Sequence, residues 1–251
     1  MDDWGKWRLN SNQMNEMNPL DVNLSSVSIF SLYAVSAAHR YVNLVEGQLS
    51  RAHDEMLSTA LEEYRRITNP DETDYDNYVI VVDRFFEEDY QPILRFTEVT
   101  YLYMIFETYT SSHIDEIQAL RKERRDILKR LKNRKNNLVA AIQHYFQEQL
   151  KWSILSDEEW NILLEIAEVR NCIVHYAGVA RDCKKPERID SLESRQWQGQ
   201  SIGIQIDRYQ GKDVGQPIII HRQFPEFFLD LLERYFNNIS QETHVNFWNK
   251  K

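Results

Sequence analysis

The feature that most constrains the fold is a helix whose two ends are both marked in the sequence. Ser156 and Glu159 have the spacing of a capping box, in which each side chain bonds the backbone N–H of the other residue. Gly178 is a typical residue just beyond a helix end. At 100° per residue, apolar side chains cover most of the helix between these points. The remaining polar strip is narrow and consists of Asn161, Glu165, Glu168 and Cys172. The sequence therefore predicts a helix that is buried except along one seam.

Glycine and proline are scarce in the rest of the chain, with seven and six among 251 residues. This scarcity favours long helices over an all-β protein or a flexible string of domains. Alternating apolar residues at about 200–222 predict one small β-hairpin. An amphipathic helix follows at 224–236, and we expect its aromatic stripe to be core. The expected fold is therefore mainly α, an antiparallel helical bundle with a small C-terminal β-hairpin decoration.

The domain organisation follows from the same patterns. Residues 1–18 are polar and predict an N-terminal arm. Residues 19–251 predict a single helical domain that carries the hairpin as an insert at about 200–222.

Five further helical patterns precede the capped helix, and the last two are the basic run 121–135 and residues 138–152. The first covers residues 25–67, with a break near Gly47. The second is the β-branched stretch 78–86, which we interpret as a helix. The third begins with Pro92 in its first turn. Its apolar run at 101–106 makes this third helix the expected buried partner of the capped helix.

Composition argues against several classes of function. No apolar run reaches the roughly 18–20 residues that cross a bilayer, and the first twenty residues lack a signal-peptide core. We therefore expect a cytoplasmic protein with no membrane partner. Cys172 and Cys183 have neither a CxxC partner nor a nearby set of histidine ligands, so free thiols are expected. The histidines show no H-x-x-x-H or HExxH spacing, and no Gly-rich phosphate loop is present. No metal and no cofactor are expected.

Residues suited to chemistry lie at the end of the capped helix, where Arg170, Asn171 and His175 form the string R-N-x-x-x-H. Arg170 falls among apolar side chains, where a cation without a partner is costly to bury. Glu107, which ends the apolar run of the preceding helix, is one candidate anion. The same argument admits two other carboxylates, Asp83 and Glu98. Arg170 and His175 lie roughly 140° apart on an ideal helix, so they flank one arc without stacking.

Histidine and arginine suit RNA cleavage that uses no metal. His175 would transfer a proton near neutral pH, Arg170 would hold the scissile phosphate, and Asn171 would orient His175 or the ribose. The ribose 2'-hydroxyl can serve as the nucleophile. A second interpretation needs no chemistry. In it Arg170 pairs with a buried carboxylate, Asn171 caps a backbone group, and the helix C-terminus favours His175.

The R-N-x-x-x-H string resembles the signature of the HEPN superfamily, whose helical domains are commonly metal-independent ribonucleases of defence and toxin systems. Its place at the end of a long helix, after much helical sequence and before a returning amphipathic helix, is similar to the family's arrangement. The resemblance implies a HEPN-like bundle with Arg170 and His175 as the catalytic pair and Asn171 as their helper. Glu107 and Tyr176 are expected to support this site.

The same resemblance implies a role and a set of partners. The chain would be an endoribonuclease acting as a toxin or phage-defence effector, with RNA as its substrate. It would be a homodimer in which both motifs face one cleft. An antitoxin or sensor protein would be a further partner.

Residues 121–135 carry nine basic and two acidic side chains. The net charge of −9 opposes general binding to a polyanion, so contact with RNA would have to be local. The candidates for backbone contact are Arg121, Arg124, Arg125, Lys129 and Arg130. A solvated helix face is the other interpretation of this run.

Two other classes of function stay open from the sequence. One is a catalytically inactive helical module that binds RNA, a nucleotide or a partner protein, and the other is a purely structural scaffold. RNA cleavage in the presence of a chelator separates the enzyme from both. RNA binding without cleavage separates the module from the scaffold.

Overall fold

A computed structural model describes residues 25–67, 72–123, 130, 131, 133, 137–197, 199–208 and 216–248. Within these ranges the chain forms seven α-helices and two small antiparallel hairpins. The expected mainly α fold with a small β decoration is confirmed. The predicted arm at 1–18 lies outside the described residues. The single domain at 19–251 stays a prediction.

The helices differ widely in length. They are α1 (Ser26–Tyr64), α2 (Glu72–Phe85), α3 (Gln91–Leu120), α4 (Leu138–His144), α5 (Asp157–Tyr176), α6 (Pro186–Glu193) and α7 (Gln223–Thr243). Three π-helical turns extend them, namely Phe86–Tyr90 between α2 and α3, Tyr145–Leu150 after α4, and His244–Trp248 after α7. A 3-10 turn, Ala180–Asp182, follows α5.

The first helix, α1, is continuous over 39 residues, so the expected break near Gly47 is wrong. Ser25 caps its start, where its hydroxyl accepts the backbone N–H of Ser28 at 3.1 Å. A glycine inside a helix costs roughly 0.5–1 kcal/mol, which is too little to end a helix that is packed along its length. The β-branched stretch in α2 is helical as predicted, because tertiary packing overrides small differences in helix propensity.

The decoration consists of two hairpins. Strands β3 (Ile204–Ile206) and β4 (Ile218–Ile220) pair antiparallel, which confirms the hairpin expected at about 200–222. The outer isoleucines of each strand are buried, and Gln205 between them is exposed. Strands β1 (Gln196–Trp197) and β2 (Gln200–Ser201) form a second hairpin that was not predicted. Strands of two residues are too short to show a period in the sequence.

The core lies between α7, α1, α3 and α5. The aromatic stripe of α7 is buried as expected, and it comprises Phe227, Phe228, Leu231, Leu232 and Tyr235. The hydroxyl of Thr110 in α3 donates to the phenolic oxygen of Tyr235 at 3.1 Å, so the one polar atom of this stripe has a partner. Each such side chain stabilises the fold by about 1.5–3 kcal/mol through burial. The stripe is therefore part of the core and not a binding surface.

The two cysteines form a disulfide, so the expectation of free thiols is wrong. Cys172 lies in α5, and Cys183 follows the 3-10 turn after that helix. The chain reverses between them and brings their Cα atoms to 5.4 Å, a separation that a disulfide can bridge. Their spacing of 11 residues matches no framework that would reveal the pair in the sequence.

Candidate functional site

The helix that carries the motif begins as the sequence predicts. The hydroxyl of Ser156 accepts the backbone N–H of Glu159 at 3.2 Å, and the Glu159 carboxylate accepts the backbone N–H of Ser156 at 2.8 Å. This capping box satisfies two N–H groups that the helix start would leave without partners. The helix continues without interruption to Tyr176, so Arg170, Asn171 and His175 all have helical backbone.

Two consecutive residues at the end of α5 have a left-handed backbone conformation, and the sequence marks only the glycine. Ala177 occupies the cap position with φ 50°, and Gly178 follows with φ 78°. An ideal Cβ at Gly178 would lie 2.5 Å from the ring of Phe96 in α3. Glycine is therefore needed here for both its backbone conformation and the close approach of the two helices.

Arg170 is half-buried between α5 and α3. Its guanidinium carbon lies 5.5 Å from the ring centroid of Tyr103, and its Nη1 donates to the Oδ1 of Asn171 at 3.1 Å. Its Nε is buried and has no hydrogen-bond partner among the residues that the structure describes. Within the described part of the chain, no carboxylate forms an ion pair with Arg170, so the expected pairing is not seen. An aromatic face and an amide oxygen hold this cation instead.

The three candidate carboxylates differ in their surroundings. Glu107 lies one turn beyond Tyr103 on α3, and its charge acts on the same phenol as Arg170 does. Burial raises the pKa of Tyr103, the charge of Glu107 raises it further, and the charge of Arg170 opposes the change. Asp83 bonds His53 at 2.8 Å, and Glu98 is fully buried near Glu46 and Arg95. Glu107 is therefore the candidate that shares a neighbour with Arg170.

His175 is exposed on the last turn of α5. Its ring meets the half-buried ring of Tyr176 edge-on, with centroids 6.4 Å apart. Because the helix is unbroken from Arg170 to His175, the two side chains leave it roughly 140° apart. The structure thus brings Asn171 to Arg170 and Tyr176 to His175. It shows no contact between Arg170 and His175 in one chain.

Apolar side chains near the motif are also open to solvent. Met104, next to Tyr103 on α3, is 52% exposed, and Val174, one turn beyond Arg170, is 46% exposed. Val174 is thus an exposed apolar residue on the motif helix, and Met104 is the exposed sequence neighbour of the tyrosine that contacts Arg170.

The basic residues proposed for RNA contact are only partly described. Arg121 caps the end of α3, and its Nε forms an ion pair with the carboxylate of Glu123. Arg130 is helical and exposed. Arg124, Arg125 and Lys129 lie outside the described residues. The basic surface therefore stays a prediction.

A cleft of about 370 Å³ has no motif residue in its lining, and the sequence does not predict it. Its charged lining includes Glu46, His53, Arg95 and Arg222. Arg95 donates to the Glu46 carboxylate at 3.2 Å and to the carbonyl of Ile220 at 3.0 Å. The hydrogen bond that the His53 imidazole donates to the Asp83 carboxylate raises the pKa of His53. These groups come from distant parts of the chain, so no local spacing could have revealed them.

Tyr103 contacts Arg170, and the sequence did not single it out as a site residue. It lies in the apolar run at 101–106, which was predicted to face the motif helix. Helical periodicity shows that such a run is buried, but which member meets Arg170 depends on how the two helices cross.

The described ranges contain no helix that is both long and apolar enough to cross a bilayer. In the same ranges, no three His, Cys, Asp or Glu side chains gather as metal ligands would. The cytoplasmic location stays a prediction.

Comparisons with models of known families, with curated proteins and with solved structures find no match to this chain. The resemblance to HEPN domains therefore depends on the motif residues and their helical setting.

Proposed function

We propose that this chain is a metal-independent endoribonuclease of the HEPN type that acts as a toxin or phage-defence effector. The observation that supports the proposal most is that the two motif side chains have different surroundings. Arg170 is held by Asn171 and Tyr103, while His175 is exposed on the last turn of the same helix. A fixed cation and an accessible imidazole are the two groups that metal-free cleavage of RNA requires.

The proposed reaction uses the ribose 2'-hydroxyl as its nucleophile. His175 takes the hydroxyl proton as the 2'-oxygen attacks phosphorus, and the bond from phosphorus to the 5'-oxygen breaks. A proton returns to that leaving oxygen from an imidazolium. Arg170 stabilises the negative charge that grows on the phosphate oxygens. The products are a 2',3'-cyclic phosphate and a 5'-hydroxyl.

A homodimer accounts for the separation of Arg170 and His175 on the helix. In an isologous pair, a two-fold axis beside the end of α5 brings Arg170 of one chain toward His175 of the other. The exposed side chains of Met104 and Val174 are apolar surface that such a contact would cover. An antitoxin or sensor protein that controls the dimer belongs to the same proposal.

A catalytically inactive module that binds RNA, a nucleotide or a partner protein is the second candidate. The observation that favours it is the absence of any contact between Arg170 and His175 in one chain, as far as the residues are described. A monomer built this way would hold a phosphate through Arg170 without an acid or base beside it.

The test is incubation of purified protein with total RNA in excess EDTA. Arg170→Ala and His175→Ala should each lower the cleavage rate by about a hundredfold or more, since charge stabilisation and proton transfer each contribute on that order. The products should carry 2',3'-cyclic phosphate ends or their hydrolysed form.

Two variants at exposed or half-exposed residues of α1, Arg51→Ala and His39→Ala, serve as matched controls and should keep full activity. Full activity of either motif variant, or loss of activity in EDTA, contradicts the proposal. RNA binding without cleavage by the wild type supports the inactive module.

A further inference from the structure

The disulfide is placed on the turn of α5 that carries His175. Cys172 lies three positions before His175, and residues three apart are neighbours on a helix. The carbonyl of Cys172 also accepts the backbone N–H groups of Ala177 and Gly178, the latter at 3.2 Å. Cys172 thus stabilises the end of α5 in two ways, through its backbone carbonyl and through the disulfide of its side chain.

Hydrogen bonds hold the segment that carries Cys183, the other cysteine of the disulfide. After α5 the backbone N–H of Ile218 donates to the carbonyl of Gly178 at 2.8 Å, and that of Ala180 donates to Gln216 at 2.8 Å. These bonds attach the segment before Cys183 to the chain that enters β4. The disulfide therefore links the helical turn of His175 to a segment that the hairpin already anchors.

We propose that the Cys172–Cys183 disulfide is a redox switch of the motif site, with the oxidised chain as the more active form. The inference rests on the proposed ribonuclease function. In the oxidised chain the last turn of α5 is tied in place and His175 is preorganised. In the reduced chain the contacts to β4 remain, but the covalent tie is gone and the last turn of the helix opens more often.

The accessibility of the two sulfurs sets the course of reduction. As whole residues, Cys172 is fully buried and Cys183 is 7% exposed. Cys183 is therefore the first of the two to be reached when the segment after α5 opens, and an external thiolate then attacks its sulfur. This step forms a mixed disulfide at Cys183 and releases the thiolate of Cys172, which takes up a proton. A second thiol then attacks the mixed disulfide and frees Cys183. In total, two thiols donate two electrons and two protons to the protein and leave as one small disulfide.

The experiment compares oxidised and reduced wild-type protein with the variant Cys183→Ala, which cannot form the bond. Thiol counting in denaturant should find none in the oxidised chain and two in the reduced chain. Hydrogen exchange of peptides that cover residues 172–183 should be faster in reduced wild type and in the variant. The kcat for RNA cleavage should fall roughly tenfold in reduced wild type and in the variant, with KM little changed. A tenfold loss is expected because a 1 Å misplacement of a catalytic group can cost even more than this.

Reductant should leave the exchange and the activity of Cys183→Ala unchanged, which controls for effects elsewhere in the protein. Two free thiols after treatment with oxidant, or equal exchange in both redox states, overturns the switch. Equal kcat in both states also overturns it as a regulator. If no form cleaves RNA, the proposed function fails, while the thiol count and the exchange data still decide whether the disulfide controls the helix end.

Discussion

Two ionisable side chains, the half-buried Arg170 and the fully buried Glu98, are accommodated in different ways. The guanidinium of Arg170 meets the ring of Tyr103 and the amide oxygen of Asn171. The side chain of Glu98 is fully buried, and among the described residues neither of its carboxylate oxygens has a hydrogen-bond partner. Burial raises the pKa of Glu98 to about 8, the negative charge of Glu46 adds to the rise, and Arg95 opposes it. Glu98 is therefore largely protonated at neutral pH.

This proton makes stability depend on pH in a definite direction. The folded chain keeps the proton of Glu98 up to about pH 8, while the unfolded chain releases it near pH 4.5. The contribution is therefore complete below pH 4.5 and is lost as the pH rises from 4.5 to about 8, by at most about 1.4 kcal/mol per pH unit. Above that range both states have released the proton, and Glu98 adds no further pH dependence. Glu98→Gln should remove this part of the slope, so that the variant loses less stability than wild type between pH 5 and pH 8.

Urea unfolding at both pH values measures the effect. Glu55→Gln, at an exposed position on α1, is the matched control and should follow the wild type. Equal pH slopes for Glu98→Gln and wild type would show that Glu98 is ionised in the folded chain.

At the scale of elements, the glycines of α1 and of the α5 end have opposite roles. Gly47 lies inside α1, and an added Cβ would meet no described atom within 4 Å. Gly178 has φ 78° and is in close contact with Phe96. The first glycine only lowers helix propensity, whereas the second permits a left-handed turn and a close contact.

The same substitution should therefore change stability in opposite directions at the two positions. Gly47→Ala should raise the free energy of unfolding by roughly 0.5–1 kcal/mol. Gly178→Ala should lower it by at least about 1–2 kcal/mol, because of the left-handed backbone and the contact with Phe96. Denaturant unfolding compares both variants with wild type. Stabilisation by Gly178→Ala would mean that α5 does not end in this conformation.

At the scale of the whole molecule, the open question is how many chains form one site. Light scattering should show about 60 kDa for the 30.1 kDa chain if an isologous dimer forms. Mixing an Arg170→Ala chain with a His175→Ala chain should recover part of the activity, because one site of the mixed dimer then holds both intact side chains. A fully active monomer at assay concentration would refute the shared site.

The charge distribution of the molecule leads to a separate prediction. Reversing the charges of Arg124, Arg125, Lys129 and Arg130 should weaken RNA binding and flatten its salt dependence. Each lost phosphate contact lowers the slope of log affinity against log salt by roughly one unit. Cleavage at saturating RNA should change much less. Titrations at several salt concentrations provide the measurement, and an unchanged slope would favour a solvated helix face.

Local signals in the sequence determined much of the secondary structure. The capping box of Ser156 and Glu159 marks the start of α5, because its bonds join residues three positions apart. The scarcity of glycine and proline predicts the long helices, and alternating isoleucines predict the pairing of β3 with β4. The motif residues Arg170, Asn171 and His175 could also be named from the sequence, because they lie within two turns of one helix.

Only the tertiary structure decided which distant groups meet. Helical periodicity predicts that α3 and α5 pack together, but the crossing of the two helices puts Tyr103, and not a carboxylate, against Arg170. The reversal of the chain after Gly178 pairs Cys172 with Cys183, which their spacing did not reveal. Tertiary packing also explains why α1 is continuous, because contacts along the helix outweigh the cost of Gly47. Hydrogen bonds within a few residues can be predicted from the sequence, whereas contacts between elements depend on how the whole chain packs.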